Sequence, residues 1–416
     1  MVRTESSKRG VRQRASLHRI VDSQAVGEGG SNRISAAVGA FRRSGIREMM
    51  DSAASLDGVL HLEIGEPDFP TPPHIVDAVA RAAASGQVKY TLSRGTPELR
   101  ALLAAKLREC NRIDVPPEAV VVTSGGTPAV YGAFAALLDP GDGVLLPDPG
   151  WPSAEMAATL LRARPLRYGL TPESGYLPDL EQLEALAPQA RLLVLNSPSN
   201  PTGAVFEREL LERLLELAQR HDLTVLSDEV YEEIVFDADH VSIASLGDPD
   251  RVVSVFSFSK SYAMTGWRVG YVAAPLEVAE AIVKVQEAIV ACPSWTGQKA
   301  AEAALTGPQD AVAEMREAYR VRRDVAVAAL AEEGLLLAVP RGAFYVMADV
   351  RALSGDTYEA ARRLLHEQRV AVAPGESFGS HGGGAVRLSL ASSEEIVAEA
   401  IERIARAVRD ARAVST

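Results

Sequence analysis

The sequence is poor in cysteine and contains no long apolar run. Its 416 residues include two cysteines, Cys110 and Cys292, which are too few for a disulfide framework and lack the spacing of a metal site. No run approaches the roughly 20 apolar residues that cross a bilayer. These absences predict a cytoplasmic protein of a reducing compartment, with no structural metal and no membrane partner.

Positive charge is also scarce over most of the chain. Lysine and arginine number 43 against 55 acidic residues, which gives a net charge of −12. The electrostatic field of a chain with this negative charge repels polyanions, so nucleic acid is not an expected partner. The first nineteen residues differ, because six basic residues stand there against Glu5 alone. A targeting or nucleic-acid arm is one interpretation, but no signal-peptide core follows, and we favour a frayed tail.

Short β-branched runs alternate with amphipathic stretches from about residue 96 to 300. A helical stretch at 207–220 carries a leucine stripe, and Thr96 precedes a helix that begins at Pro97. The alternation predicts an α/β domain with a mostly parallel central sheet flanked by helices. The predicted strands are 119–123, 143–147, 191–196, 223–228 and 251–257.

The last hundred residues have a different order of elements. A long helix from about 310 precedes predicted strands at 335–340, 343–350 and 386–391, and a helix at 393–411 closes the chain. This order predicts a smaller α+β domain. We expect four segments: an extension (1–31), a segment contributing to the small domain (32–72), a large domain (73–305) and the small domain itself (306–416).

Polar residues follow the predicted strands, where ligands collect in such sheets. Gly125 and Gly126 permit a tight turn, and Thr127 begins a helix whose free N–H groups favour a phosphate. Ser257 and Arg268 could complete a phosphate cradle. Each is a capping or solvated residue in the ordinary interpretation. Together they suggest an anion site.

Four further residues have both an ordinary and a chemical interpretation. Lys260 is either a surface lysine or a desolvated amine that forms a Schiff base with a carbonyl. Asp228 is either a helix cap or the partner of a pyridine nitrogen. Asn200 serves a turn or bonds a phenolic oxygen, and Trp151 packs in the core or stacks on a cofactor ring. The chemical interpretations share one requirement, an aromatic carbonyl cofactor.

Seven segments carry these residues in order along the chain. They are "IGEPDFPTP" (64–72), "KYTLSRGTPELR" (89–100), "SGGTPA" (124–129), "NSPSNPTG" (196–203), "SDEVYEEIVF" (227–236), "SFSKSYAMTGWRVGY" (257–271) and "VRLSLASSEE" (386–395). Together they resemble the class I aminotransferases, which are fold type I enzymes dependent on pyridoxal 5'-phosphate, and within them the aspartate aminotransferase-like branch. The resemblance extends from about residue 32 to 410.

The resemblance implies a role for each matched residue. Lys260 would carry the internal aldimine and shuttle the substrate α-proton, and Asp228 would pair with the pyridine nitrogen. A homodimer is implied, because one phosphate ligand, Tyr90, comes from the partner subunit. Tyr231 and Asn200 would bind the phenolate oxygen, and Trp151 would stack on the ring. The phosphate would be bound by Gly125, Gly126, Thr127, Ser257 and Arg268. The substrate would be bound by Gly65 and Arg387, which hold its α-carboxylate, and also by Trp151 and Asn200.

The resemblance also implies the reaction, the transfer of an amino group from an L-amino acid to a 2-oxo acid by a ping-pong mechanism. Segment 289–300 has no obvious cation where some relatives bind a second substrate carboxylate, so the donor could be aspartate, aromatic or aliphatic. A lyase, decarboxylase or cyclase on the same scaffold is an alternative, and so is a non-catalytic regulatory relative. His381, in "GSHGGGAVR", belongs to a mobile loop or to a substrate lid.

Overall fold

The computed structural model describes residues 34–41 and 43–414. The predicted N-terminal extension lies outside the described residues. The helices in the described part are α1 Ala36–Gly39, α2 Gly45–Ala53, α3 Pro73–Ala84, α4 Pro97–Lys106, α5 Gly126–Leu137, α6 Pro152–Leu160, α7 Leu180–Leu186, α8 Arg208–Arg220, α9 Phe258–Ser261, α10 Leu276–Ile289, α11 Trp295–Thr306, α12 Asp310–Glu332, α13 Thr357–Gln368 and α14 Glu394–Val414. The strands are β1 Leu60–His61, β2 Val120–Thr123, β3 Gly143–Asp148, β4 Arg164–Gly169, β5 Leu192–Asn196, β6 Thr224–Asp228, β7 Val252–Ser257, β8 Gly270–Ala273, β9 Tyr345–Asp349, β10 Val370–Ala371, β11 Ala373–Pro374 and β12 Ala385–Ser389.

The larger sheet has seven strands in the order β2-β8-β7-β6-β5-β3-β4. Strands β3 to β7 run parallel to their neighbours within this set, whereas β8 runs antiparallel to both β2 and β7. All five predicted runs form strands of this sheet. The prediction of a mostly parallel α/β sheet is therefore confirmed.

Both faces of the sheet are covered by helices. In β5, Leu192 and Val194 pack into one apolar cluster, while Leu193 and Leu195 pack into another. Successive side chains of a strand point to opposite faces, so the two clusters lie on opposite sides of the sheet. Helices α5, α6 and α10 contribute to the first cluster, and α7 and α8 contribute to the second. Burial on both faces explains why the strand runs are continuously apolar.

A smaller antiparallel sheet has the order β11-β12-β9. The predicted strand at 335–340 is wrong, because this run pairs with β9 only at an isolated bridge between Leu336 and Ala348. Pro340 lacks the N–H group that a longer ladder needs. Helices α12, α13 and α14 share a core with this sheet.

The segment before the large sheet joins the C-terminal part of the chain. Leu60 in β1 pairs with Val370 in β10, and Met49 and Leu62 lie in the same core cluster as Ile401 of α14. These contacts support the proposed division in which 32–72 completes the small domain of 306–416 and 73–305 forms the large domain. Within the described residues, no helix combines the length and apolarity needed to cross a membrane.

Candidate active site

Lys260 lies in the short helix α9, directly after β7. Ser257 caps this helix by accepting a hydrogen bond from the N–H of Ser259 at 3.2 Å. The Lys260 Nζ donates to the carbonyl oxygen of Gly65 at 2.5 Å, and the side chain forms no salt bridge with any described residue. Burial lowers the pKa of Lys260 to about 8, an effect that Arg387 strengthens. The amine can therefore be neutral near physiological pH.

Asp228 is the last residue of β6, at the same edge of the sheet. Its register partner in β5 is Asn196, whose Nδ2 donates to the Asp228 carbonyl oxygen at 3.0 Å. Its carboxyl oxygen Oδ1 accepts from the Val230 N–H at 3.4 Å, and no cationic side chain of the described chain pairs with it. Burial raises the pKa of this carboxyl to about 7. Ionising this buried carboxyl is costly unless a positive partner from a ligand pairs with it.

Arg387 in β12 is a buried cation that has no carboxylate partner among the described residues. Its side chain donates from Nη1 to Asn200 Oδ1 at 3.0 Å and from Nη2 to the Glu63 carbonyl oxygen at 2.5 Å. The guanidinium lies over the rings of Tyr345 and Phe378, at 4.3 and 4.9 Å from their centroids. Its Nε finds no hydrogen-bond partner in the described part of the chain. Because an unpaired buried charge is expensive, an anion from outside the chain would stabilise it.

The glycine turn after β2 brings the predicted phosphate ligands together. Gly125 has a φ of +101°, and a Cβ there would lie 2.6 Å from Arg268 Nη2. A Cβ on Gly126 would lie 3.8 Å from that of Ser257. Arg268 donates to the carbonyls of Thr265 and Ser124, at 2.8 and 3.3 Å.

Helix α5 begins at this turn. It spans 12 residues, starts at Gly126, and carries Thr127 exposed in its first turn. The first N–H groups of a helix lack intrahelical partners and attract anions. The turn therefore combines backbone donors with a guanidinium and two hydroxyl groups.

One cavity connects the aromatic and acidic residues of the site. Trp151, Asn196, Asp228 and Phe378 border it. Trp151 is the residue before α6 and packs partly against the core on one face of the sheet. The side chain of Asn196 also accepts from the Asn200 N–H at 2.8 Å, which fixes the turn that carries Asn200. A flat ring in this cavity would have a carboxyl group and an indole within reach.

Tyr345 in β9 joins two predicted site residues, and the sequence argument missed it. Its hydroxyl lies 2.8 Å from the hydroxyl of Tyr231, and both rings are buried. A Cβ on Gly65 would lie 1.8 Å from the Tyr345 hydroxyl, so only glycine fits there. The register of β9 against β12 places Tyr345 two residues along the ladder from Arg387. Only this register could have pointed to Tyr345.

Tyr90 does not join the site within one chain. Its side chain is 90% exposed, and Leu92 beside it is 59% exposed. Its predicted role depends on a second subunit and stays a prediction. No group of three or more metal-ligating side chains occurs among residues 34–41 and 43–414.

The unpaired groups fit a phosphorylated aromatic aldehyde and a carboxylate substrate. Lys260 offers an amine, Asp228 a partner for a ring nitrogen, and Arg387 a partner for a carboxylate. Arg268 lies at the helix terminus that suits a phosphate. The fit follows mainly from Asp228 and Arg387, which are buried and unmatched within the described residues, because ordinary buried ions are paired inside the protein.

Comparison with known proteins agrees with this chemistry. The chain is 43% identical over 349 residues to the aspartate/prephenate aminotransferase of Thermus thermophilus, covering 83% of this chain and 90% of the relative. It is 37% identical to aromatic-amino-acid aminotransferase 2 of Thermococcus litoralis, covering 89% and 97%. The solved structure of aspartate aminotransferase from Thermus thermophilus with maleate matches with a TM-score of 0.86 and 40% identity, covering 91% of this chain and all of that one.

The family model for aminotransferase class I and II matches residues 57–404, most of the chain. Fold, site chemistry and relatives agree over the same residues. The chain therefore belongs to the class I and II aminotransferases, with the fold type I architecture, and it is an aminotransferase that acts on amino acids and 2-oxo acids.

Proposed function

We propose that this aminotransferase depends on pyridoxal 5'-phosphate. The observation that carries the proposal is that Asp228 and Arg387 are buried and Lys260 is partly buried around one site, and that none of the three forms an ion pair within the described residues. When bound, the cofactor supplies an aldehyde that condenses with amines and a ring that withdraws electrons from the substrate α-carbon. The chain supplies binding, orientation and proton transfer.

The ring would be held by four side chains. Asp228 would hold a proton on the ring nitrogen by charge pairing, and this pairing would lower the carboxyl pKa below that of the cofactor-free protein. Tyr231 and Asn200 would donate to the phenolic oxygen, and Trp151 would cover one face of the ring. Three of these side chains are already oriented by contacts within the chain: Asp228 by the Val230 N–H, Tyr231 by the Tyr345 hydroxyl and Asn200 by Arg387.

The phosphate would lie at the start of α5. Gly125 and Gly126 leave space for close approach, and the N–H groups of the first turn point outward. Thr127 and Ser257 would donate hydroxyl groups, and Arg268 would neutralise charge. Because Arg268 binds only carbonyl oxygens in the described chain, its charge is available for this role.

Substrate binding would depend on Arg387 and Gly65. The guanidinium would pair with the α-carboxylate, and Asn200 would hold the guanidinium in place through its 3.0 Å contact. Lys260 would be the amine to which the cofactor attaches, and its lowered pKa would let it take the α-proton. The donor would leave as its 2-oxo acid before the acceptor binds, so we expect ping-pong kinetics.

We propose L-aspartate as the first donor to test, since the relatives include aspartate aminotransferases and one was solved with maleate, a dicarboxylate. An aromatic amino acid is the second candidate. The rings of Tyr345 and Phe378 beside Arg387, with Trp151 in the same cavity region, favour it.

We also propose a homodimer in which Tyr90 reaches the phosphate site of the other protomer. The exposure of Tyr90 and Leu92 supports this arrangement. A cytoplasmic location stays a prediction from the cysteine content.

Borohydride reduction tests the cofactor proposal. We expect the reduced protein to carry a pyridoxyl group on the peptide containing Lys260. Lys260→Ala should lose this group and reduce amine transfer by roughly 10²-fold to 10⁴-fold or more. Lys284→Ala, which changes an exposed lysine of α10, is the control and should retain both. A pyridoxyl group on another lysine, or turnover by Lys260→Ala, would reject the assignment.

The donor is tested by half-reaction spectra of the wild-type protein. L-Aspartate, L-phenylalanine and L-leucine are added singly, and the loss of the visible absorbance is followed. We expect a response to aspartate, to phenylalanine, or to both. A response to leucine alone would contradict both candidates. Release of pyruvate or ammonia without a 2-oxo acid acceptor would indicate lyase chemistry.

A further inference from the structure

The glycine-rich loop between β11 and β12 is bonded to the end of β3. Asp148, the last residue of β3, is buried and accepts hydrogen bonds from this loop. Its Oδ2 accepts from the Ser380 N–H at 3.1 Å and from the Ser380 hydroxyl at 2.7 Å, and its Oδ1 accepts from the His381 N–H at 2.9 Å. The loop that contains His381 is therefore attached to the large sheet.

Two basic side chains also approach the same carboxylate. His381 Nδ1 lies 3.4 Å from Oδ2, and Arg167 Nη1 lies 3.5 Å from it. Arg167 binds mainly to Glu155, at 2.6 and 2.7 Å. The shortest contacts of Asp148 are thus to the loop itself, which makes the loop its main partner.

A glycine permits this close approach. Gly379 has a φ of +130°, and a Cβ there would lie 2.1 Å from Asp148 Oδ1. Any other residue would strain the backbone and push the carboxylate away. The segment "GESFGSHGGG" (375–384) is therefore shaped to place a carboxylate against its backbone N–H groups.

The attachment places Phe378 between the loop and the site. The Gly150 N–H donates to the Phe378 carbonyl oxygen at 2.7 Å, two residues along the chain from Asp148. The Phe378 ring lies 4.9 Å from the Arg387 guanidinium carbon and borders the cavity with Trp151. The ring shields one side of the guanidinium from water, which strengthens its interaction with an anion.

We infer that Asp148 is a positioning residue for the substrate α-carboxylate. It binds the loop and so holds Phe378 against Arg387. Without this attachment the ring moves away and water solvates the guanidinium, which weakens carboxylate binding. The inference rests on the proposed function of Arg387 as the carboxylate site. It assigns Asp148 no contact with substrate.

The test is Asp148→Asn in the holoenzyme. An asparagine keeps one acceptor oxygen, and its amide nitrogen would face a backbone N–H of the loop, that of Ser380 or of His381, and repel it. We expect KM for the amino donor, and the dissociation constant of maleate measured by spectral titration, to rise by about 3-fold to 30-fold, with kcat within about threefold. Asp142→Asn is the matched control. Asp142 lies just before the other end of β3 and accepts the Asp139 N–H at 2.9 Å, so both constants should be unchanged.

A double-mutant cycle separates positioning from a general structural effect. Phe378→Leu should raise the same two constants, and adding Asp148→Asn should raise them little further, since both changes remove the same ring contact. Additive effects of the two changes would overturn the inference, and so would unchanged constants in Asp148→Asn.

Two further variants complete the test. If Asp148→Asn does not fold, Ser380→Ala takes its place in the cycle and should give a smaller rise. Arg387→Ala distinguishes the two proposals. If it leaves the affinity for maleate unchanged, the proposed carboxylate site fails. If it weakens binding while Asp148→Asn does not, only the role of Asp148 fails.

Discussion

We expect Asp228→Asn to stabilise the cofactor-free protein in a pH-dependent manner. Burial raises the pKa of this carboxyl from 3.8 to about 7, and each pH unit corresponds to about 1.4 kcal/mol. Keeping Asp228 ionised in the fold therefore costs about 4 kcal/mol of unfolding free energy above pH 7. The folded protein binds more protons here than the unfolded chain, so stability falls as pH rises from about 4 to about 7.

Asparagine has a similar size and no charge, so the variant escapes this loss. The gain in unfolding free energy over wild type should be about 4 kcal/mol at pH 8 and less than half of that at pH 5. Urea denaturation followed by tryptophan fluorescence, on protein freed of cofactor, measures both values. The control is Asp142→Asn, at a partly exposed position, which should not raise the unfolding free energy at pH 8.

With cofactor bound, the wild-type protein should be more stable than Asp228→Asn, which is the reverse of the order in the cofactor-free protein. If the ring nitrogen pairs with Asp228, wild type gains more unfolding free energy on binding than the variant does. The variant should also remove the substrate α-proton much more slowly while retaining phosphate binding. An equal effect of Asp228→Asn at pH 5 and pH 8 in the cofactor-free protein would refute the argument that Asp228 is a buried, unpaired carboxyl.

Two further substitutions test the neighbouring groups. Arg387→Ala should weaken binding of the amino donor by about 30-fold or more, because the α-carboxylate of the substrate loses its cationic partner. Initial-rate kinetics would show this as a raised KM. An unchanged KM would contradict the assigned role. Tyr345→Phe should raise the midpoint of the pH titration of the holoenzyme's visible absorbance by about 0.5 to 1 unit. Tyr231 would donate its one hydroxyl proton to the ring oxygen, so its own oxygen would accept a hydrogen bond from the Tyr345 hydroxyl, and the variant loses that bond. Tyr176→Phe, a buried tyrosine of another cluster, is the control for this titration, and a midpoint shared by all three proteins would exclude a role for Tyr345.

Local patterns predicted most of the elements that carry the site. The runs that became β2, β3, β5, β6 and β7 were recognisable because strands buried on both faces are continuously apolar. The run at 335–340 was equally apolar and formed only a bridge with β9. Hydrophobicity alone does not state how far a run continues a ladder, because this depends on the backbone N–H groups that the run offers, and Pro340 has none.

Chain order and residue type alone placed Lys260 after a strand, Asp228 at the end of another and two glycines before a helix, and the family resemblance supplied the assignment of Arg387. What the tertiary structure decided is which groups meet: Tyr231 with Tyr345, Arg387 with Asn200, and Asp148 with the loop at Ser380. These partners are 114, 187 and 232 residues apart in the chain. Strand order and register bring them together, and the burial that shifts the pKa of Lys260 and of Asp228 exists only once both sheets and their helices have packed.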